Sequence, residues 1–152
     1  MKEFRVIIPD EHYQILEFNQ EELPGIAVIN KSLINFEPKE VFNWHCSVMV
    51  HFEQLIENGM PALIDRTKVE EFEDWLDDEV KGDNKEKPNA LFLGRITWNK
   101  TRELIWRIYE PEKTNEILNK LIETKDYDLP FDYRIDPDNE WNLAKWHLEN
   151  CE

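Results

Sequence analysis

The chain has 152 residues, with 33 Asp and Glu against 18 Lys and Arg, for a formal net charge of −15. Hydrophobic residues make up 41% and aromatics 12%, six of them Trp. That is enough for one domain of this length to bury a core without metals or disulfides, and too much for disorder through low hydrophobicity. So negative a surface repels phosphate backbones and anionic lipid headgroups, which sets nucleic acid and membranes aside as partners.

The opening ten residues carry no long apolar region with a small-residue cleavage site, so they are not read as a signal peptide. No run approaches the roughly 18 apolar residues of a membrane span. Cys46 falls mid-strand and Cys151 is penultimate, so no structural disulfide is expected, and a reducing cytoplasm is the expected compartment.

In chain order, Phe4 to Ile8 reads as a short opening strand closed by Pro9-Asp10, and His12 to Phe18 as a second. Leu23-Pro24-Gly25 punctuates before a short apolar strand, Ile26 to Ile29, and a polar loop through Pro38. From Phe42 to Phe52, apolar residues at Phe42, Trp44, Cys46, Val48, Val50 and Phe52 alternate with Asn43, His45, Ser47, Met49 and His51. This period of two predicts a long half-buried strand. Asn58-Gly59-Met60-Pro61 turns the chain into a helix from Asp65 or Arg66 to Lys81. Val69, Phe72, Leu76 and Val80 form its apolar stripe, and Gly82 is its C-terminal stop.

After the polar loop 82–89, strands Ala90 to Trp98 and Arg102 to Tyr109 are joined by a turn at Asn99-Lys100-Thr101. Pro111 opens a helix at its first position, Phe131 to Ile135 is the last strand, and Asp136-Pro137-Asp138 begins a C-terminal helix ending near Asn150. From Val41 onward the order is strand, helix, strand, strand, helix, strand, the split βαβ order of ferredoxin-like folds. The expectation is one α+β domain: a strand extension over 1–40, a ferredoxin-like antiparallel core over 41–136, and a helix over 137–150.

Several stretches carry a resemblance. Ala27-Val28-Ile29-Asn30, the Gly59-Met60-Pro61 turn before Val69-Glu70-Glu71-Phe72-Glu73-Asp74, and the hairpin from Gly94-Arg95-Ile96-Thr97 to Ile108-Tyr109 resemble a bacterial domain of unknown function, family 695. Tyr133-Arg134-Ile135-Asp136 followed by Glu140-Trp141 is similar to the strand and Asp-x-x-Trp helix of that family and of regulator B of ribonuclease E activity. The resemblance implies a ferredoxin-like fold and brings no catalytic residues. The regulator adds, by fold analogy alone, the idea of an acidic protein that binds an enzyme.

Candidate sites are few. His45 and Cys46 are both metal-ligating types, but adjacent strand residues point to opposite faces, and His51 lies roughly 20 Å from His45 at about 3.3 Å per residue. No metal site and no cofactor is expected from them. Cys46, among Trp44, Val48 and Val50, reads as a buried inert thiol. Arg95 and Arg107, on the two arms of the hairpin, could clamp an anion, though pairing with Glu103, Glu110 or a carboxylate on a neighbouring strand is the plainer reading. Gly-rich phosphate loops, nucleophile elbows, His-Glu-x-x-His and paired Cys-x-x-Cys motifs are missing from the sequence.

The acids are concentrated. Asp65, Glu70, Glu71, Glu73, Asp74, Asp77, Asp78 and Glu79 stand against Arg66 and Lys68 along residues 65–79, and residues 126–152 hold eight acids against Arg134 and Lys145. Such surfaces steer a basic partner. On the C-terminal helix, Trp141, Ala144 and Leu148 line one side and Leu143 and Trp146 nearly the other, while Trp75 lies off the stripe of the first helix.

The leading expectation is therefore a non-enzymatic binding or inhibitory module for a basic protein surface. Glu70, Glu71, Glu73, Asp74, Asp77 and Asp78 would supply attraction, and Trp75, Leu143 and Trp146 would supply anchors. The alternative is a small hydrolase or ligand-binding enzyme whose sheet-face pocket gathers His45, His51, Arg95 and Arg107. A homo-oligomeric structural domain is the third possibility.

Overall fold

The computed structural model describes residues 7–37 and 39–151. The described residues form six strands and three α-helices: β1 (Tyr13–Gln20), β2 (Leu23–Asn30), β3 (Trp44–His51), α1 (Leu63–Lys81), β4 (Ala90–Trp98), β5 (Thr101–Ile108), α2 (Pro111–Thr124), β6 (Phe131–Pro137) and α3 (Lys145–Glu149). One sheet in the order β1-β2-β4-β5-β3-β6 takes every strand, and each neighbouring pair is antiparallel. The β4-β5-β3-β6 portion, with α1 and α2 as crossovers, is the ferredoxin-like arrangement, and the β1-β2 hairpin extends it past β4.

Local chemistry explains the boundaries. Gly82 ends α1 at φ 81°, donating its N–H to the Asp78 carbonyl at 3.0 Å. Pro111 occupies the first turn of α2, and Lys125 closes that helix in a left-handed conformation. The β4-β5 turn uses Asn99 and Lys100, both at positive φ, the two-residue geometry that matches strand twist. The β1-β2 turn does the same with Glu21 and Glu22, at φ 52° and 68°. The sequence carries neither Gly nor Asn there.

The central strands of the sheet are buried on both faces, whereas β1 is not. Cys46, Val48, Val50, Leu104, Trp106 and Ile108 pack under α1 and α2 against Val69, Leu76, Val80 and Leu118. On the opposite face, Leu91, Leu93 and Ile105 are covered by Leu33, Phe36 and Phe42 from the 31–42 segment and by Trp141 and Ala144 from the C-terminus. The alternation read along Phe42–Phe52 holds through β3, with Cys46, Val48 and Val50 on the helix side.

A β-bulge between Phe92 and Gly94 shifts the phase of β4. Leu93 and Gly94 lie across from Ile105 on the layer opposite the helices, so Arg95 returns to the helix face beside Leu104. Gly94 is required by close approach: a Cβ there would lie 2.7 Å from the Val28 carbonyl oxygen and 2.8 Å from Ile29 Cδ1.

Two sequence expectations need correction or bounding. The helix expected over 137–150 is instead a single 3-10 turn at Asn142–Ala144 followed by the five-residue α3. Pro137 still pairs with Trp44 as the end of β6, and Trp141 adopts φ 60°, which interrupts any helix through it. Of the opening strand expected at Phe4 to Ile8, residues 4–6 lie outside the described residues. Ile7 and Ile8 are not in a strand, and Ile8 packs on the second core.

Candidate functional site

The acidic helix α1 divides into three kinds of carboxylate once its neighbours are in place. Glu73 is buried and engages Arg95 bidentately, accepting from Nε and Nη2 at 2.7 Å each. Asp77 accepts from Trp106 Nε1 at 2.8 Å and pairs with Lys81 at 2.9 Å. These two, expected to meet a partner, are instead structural ties between α1 and its surroundings. Glu70 and Asp74 are exposed and line a hollow over β2 and β4, Glu71 lines the groove beside Trp75, and Asp78 is exposed beside Lys81 and Lys85 at another hollow.

Trp75 is 44% exposed and stands at the rim of a groove of about 560 Å³ between α1, the end of α2 and the loop into β6. Phe72 and Tyr127 form its aromatic wall, each ordered by the buried Phe131 ring, at centroid distances of 5.3 and 5.5 Å. Glu71, Asp126 and Asp128 supply carboxylates, and Lys68 and Lys125 are the cations that line it. Among the described residues, none of these three acids is held in an ion pair, so each remains available to an incoming group. Tyr127 is the groove residue that sequence reasoning missed. Its signal was an aromatic flanked by two Asp just past a helix end.

Leu143 and Trp146 are 47% and 44% exposed, but they belong to the layer on the other face of the sheet, where Trp146 packs edge-on against Phe18 at 5.7 Å. Trp75 and Trp146 therefore do not share one surface.

The four residues of the enzymatic alternative do not converge. Arg95 faces α1, and His51 is half-buried at the far end of β3, bonded to Asp132 at 2.9 Å. His45 and Arg107 do meet, in the second core. Arg107 is fully buried and donates to Asp138 Oδ2 at 3.0 Å, the Asp138 carbonyl at 2.6 Å and the Phe42 carbonyl at 3.3 Å, with Trp141 beneath its plane at 4.6 Å. It also lies 3.0 Å from His45 Nδ1. A guanidinium can only donate, so His45 accepts at Nδ1 and is neutral. Burial, helped by the Arg107 charge, pulls its pKa down to about 4. Arg107 thus pairs with Asp138 rather than with Glu103 or Glu110. The Asp-x-x-Trp sequence is a clamp: Asp138 accepts the Asn142 and Leu143 N–H groups, and Trp141 Nε1 reaches the Lys39 and Phe42 carbonyls.

Cys46 is buried, its thiol pushed up to about 12 by desolvation, and both cysteines are free. Among the described residues, no group of three or more His, Cys, Asp or Glu is placed to hold a metal, and no helix is long and apolar enough to cross a membrane.

Residues 14–145 match the family described as a family of unknown function, DUF695. The chain belongs to that family. No curated protein and no solved structure matches it.

Proposed function

We propose that this DUF695 protein is a non-catalytic binding and regulatory module that takes a basic segment of a protein partner along the α1 groove. The observation that carries this reading is Trp75, half exposed beside Phe72 and Tyr127 and flanked by Glu71, Asp126 and Asp128. Arginine and lysine side chains are attracted to aromatic faces and charge-assisted by carboxylates, so this lining complements a cationic chain. The net charge of −15 adds long-range steering toward such a partner. An inhibitory role in a reducing cytoplasm is part of the same proposal.

Titration with a short Arg-rich peptide, followed through the Trp75 indole N–H resonance at low and high salt, tests it. Saturable shifts at Trp75 that weaken steeply as salt rises are expected, with affinity lost in Trp75→Ala and in the charge reversal Asp128→Lys. Binding indifferent to both substitutions would overturn the reading.

A further inference from the structure

A second hollow, of about 540 Å³, lies over β2 and β4 beside the start of α1, separate from the Trp75 groove. Its distinguishing feature is Arg102. This residue points to the helix face of β5 and is only 9% exposed. Its Nε donates to Thr97 Oγ1 at 2.8 Å and its guanidinium lies 6.0 Å from the Phe52 ring centroid. Among the described residues its terminal amino groups meet no hydrogen-bond acceptor and no carboxylate within ion-pair distance. The other two arginines that the sheet directs inward are satisfied, Arg95 by Glu73 and Arg107 by Asp138. A buried charge is ordinarily paired, because its desolvation is otherwise uncompensated. Arg102 instead lines the hollow with two donors in hand.

The rest of the lining narrows the class of ligand. Ile26, Val28, Ile56, Met60 and Pro61 make an apolar wall, and Ile26 and Ile56 are 41% and 62% exposed. Exposed apolar side chains gathered beside an open cation suit a molecule with one anionic end and a hydrocarbon body. Glu70 and Asp74 also line the hollow. Glu73, tied to Arg95, lines it too, so the charges of the hollow nearly balance. The desolvation cost of an ion rises with the square of its charge, which favours a monoanion over a dianion such as phosphate. We infer that this hollow binds a small amphipathic monocarboxylate, the carboxylate held by the Arg102 fork and the hydrocarbon body resting on Ile26, Val28 and Ile56. Arg66, exposed on α1 at the rim, adds attraction at the entrance.

The inference is tested with the full chain and hexanoate as probe, read by methyl resonances of Ile26, Val28 and Ile56 and by the Arg102 side-chain N–H signals. Hexanoate is expected to shift these signals saturably, and hexanamide, which keeps the body and lacks the charge, to bind about tenfold or more weakly. Arg102→Gln is expected to weaken hexanoate by a similar factor. Because Arg102 is buried, the exposed Ile56→Glu variant provides a second arm, and it too should abolish the shifts while leaving the thermal midpoint unchanged. Hexanamide binding as well as hexanoate, inorganic phosphate displacing hexanoate at equal concentration, or Ile56→Glu binding like the wild type would each overturn the assignment. None of these results depends on the Trp75 groove.

Discussion

Arg107 holds Asp138 twice, through the carboxylate at 3.0 Å and through the backbone carbonyl at 2.6 Å, although 30 residues separate them in the chain. This doubly made contact pins the end of β6 to the back of β5 and fixes where the last segment turns. Asp138→Ala leaves a fully buried guanidinium without its counter-charge and strips the Asn142 and Leu143 N–H groups of their acceptor. A loss of about 3–5 kcal/mol in urea unfolding is expected. Hydrogen exchange should show residues 139–150 opening first.

His45 and His147 make the fold acid-sensitive. Burial lowers both from an ordinary 6.5 to about 4, with Arg107 a secondary cause at His45. The unfolded chain binds these protons at higher pH than the folded one, so their stabilising contribution is complete above pH 6.5. It is lost progressively as pH falls toward 4. Each should account for on the order of 3 kcal/mol over that window. Urea midpoints measured from pH 7 to pH 4 should fall steadily, and His147→Gln should flatten part of the slope.

Cys46 and Cys151 should differ in reactivity. The Cys46 thiol is buried and its ionisation is pushed up to about 12, whereas Cys151 is only partly covered. Iodoacetamide at pH 8 followed by mass spectrometry should label Cys151 in the folded protein and Cys46 only after denaturation. Native labelling of Cys46 at a comparable rate would mean that the sheet opens over Val48 and Trp106.

Gly94→Ala tests the bulge. The added methyl meets the Val28 carbonyl oxygen and the Ile29 side chain, so β2 and β4 must separate or the bulge must move. A destabilisation of about 1–3 kcal/mol is expected. Because the bulge sets the face on which Arg95 emerges, loss of the Arg95–Glu73 pair should accompany it, visible in the Arg95 Nε–H resonance.

The features legible in the sequence were those governed by local pattern. The alternation from Trp44 to His51, the stripe of Val69, Leu76 and Val80, the stop at Gly82 and the start at Pro111 each depend on a few neighbouring residues, and the ferredoxin-like order follows from their succession. What stayed hidden depended on distant partners. Trp141 and Leu143 fit a helical period, yet Asp138, held by Arg107, catches the N–H groups that a longer helix would have used. The phase change at Gly94 arises from the approach of Val28, so alternation alone could not show that Arg95 faces Glu73. Tyr127 joins Phe72 and Trp75 only because Phe131 stands between them.

The second core imposes an order on synthesis. Its outer wall combines Leu33, Phe36 and Phe42 with Trp141 and Ala144, and the Trp141 indole bonds carbonyls 99 and 102 positions upstream. A nascent chain can assemble its first layer earlier, but Leu91, Leu93 and Ile105 lack part of their cover until Trp141 and Ala144 have emerged. Closure therefore comes late in folding, and the interval before it is when this protein is most exposed to aggregation or to a chaperone.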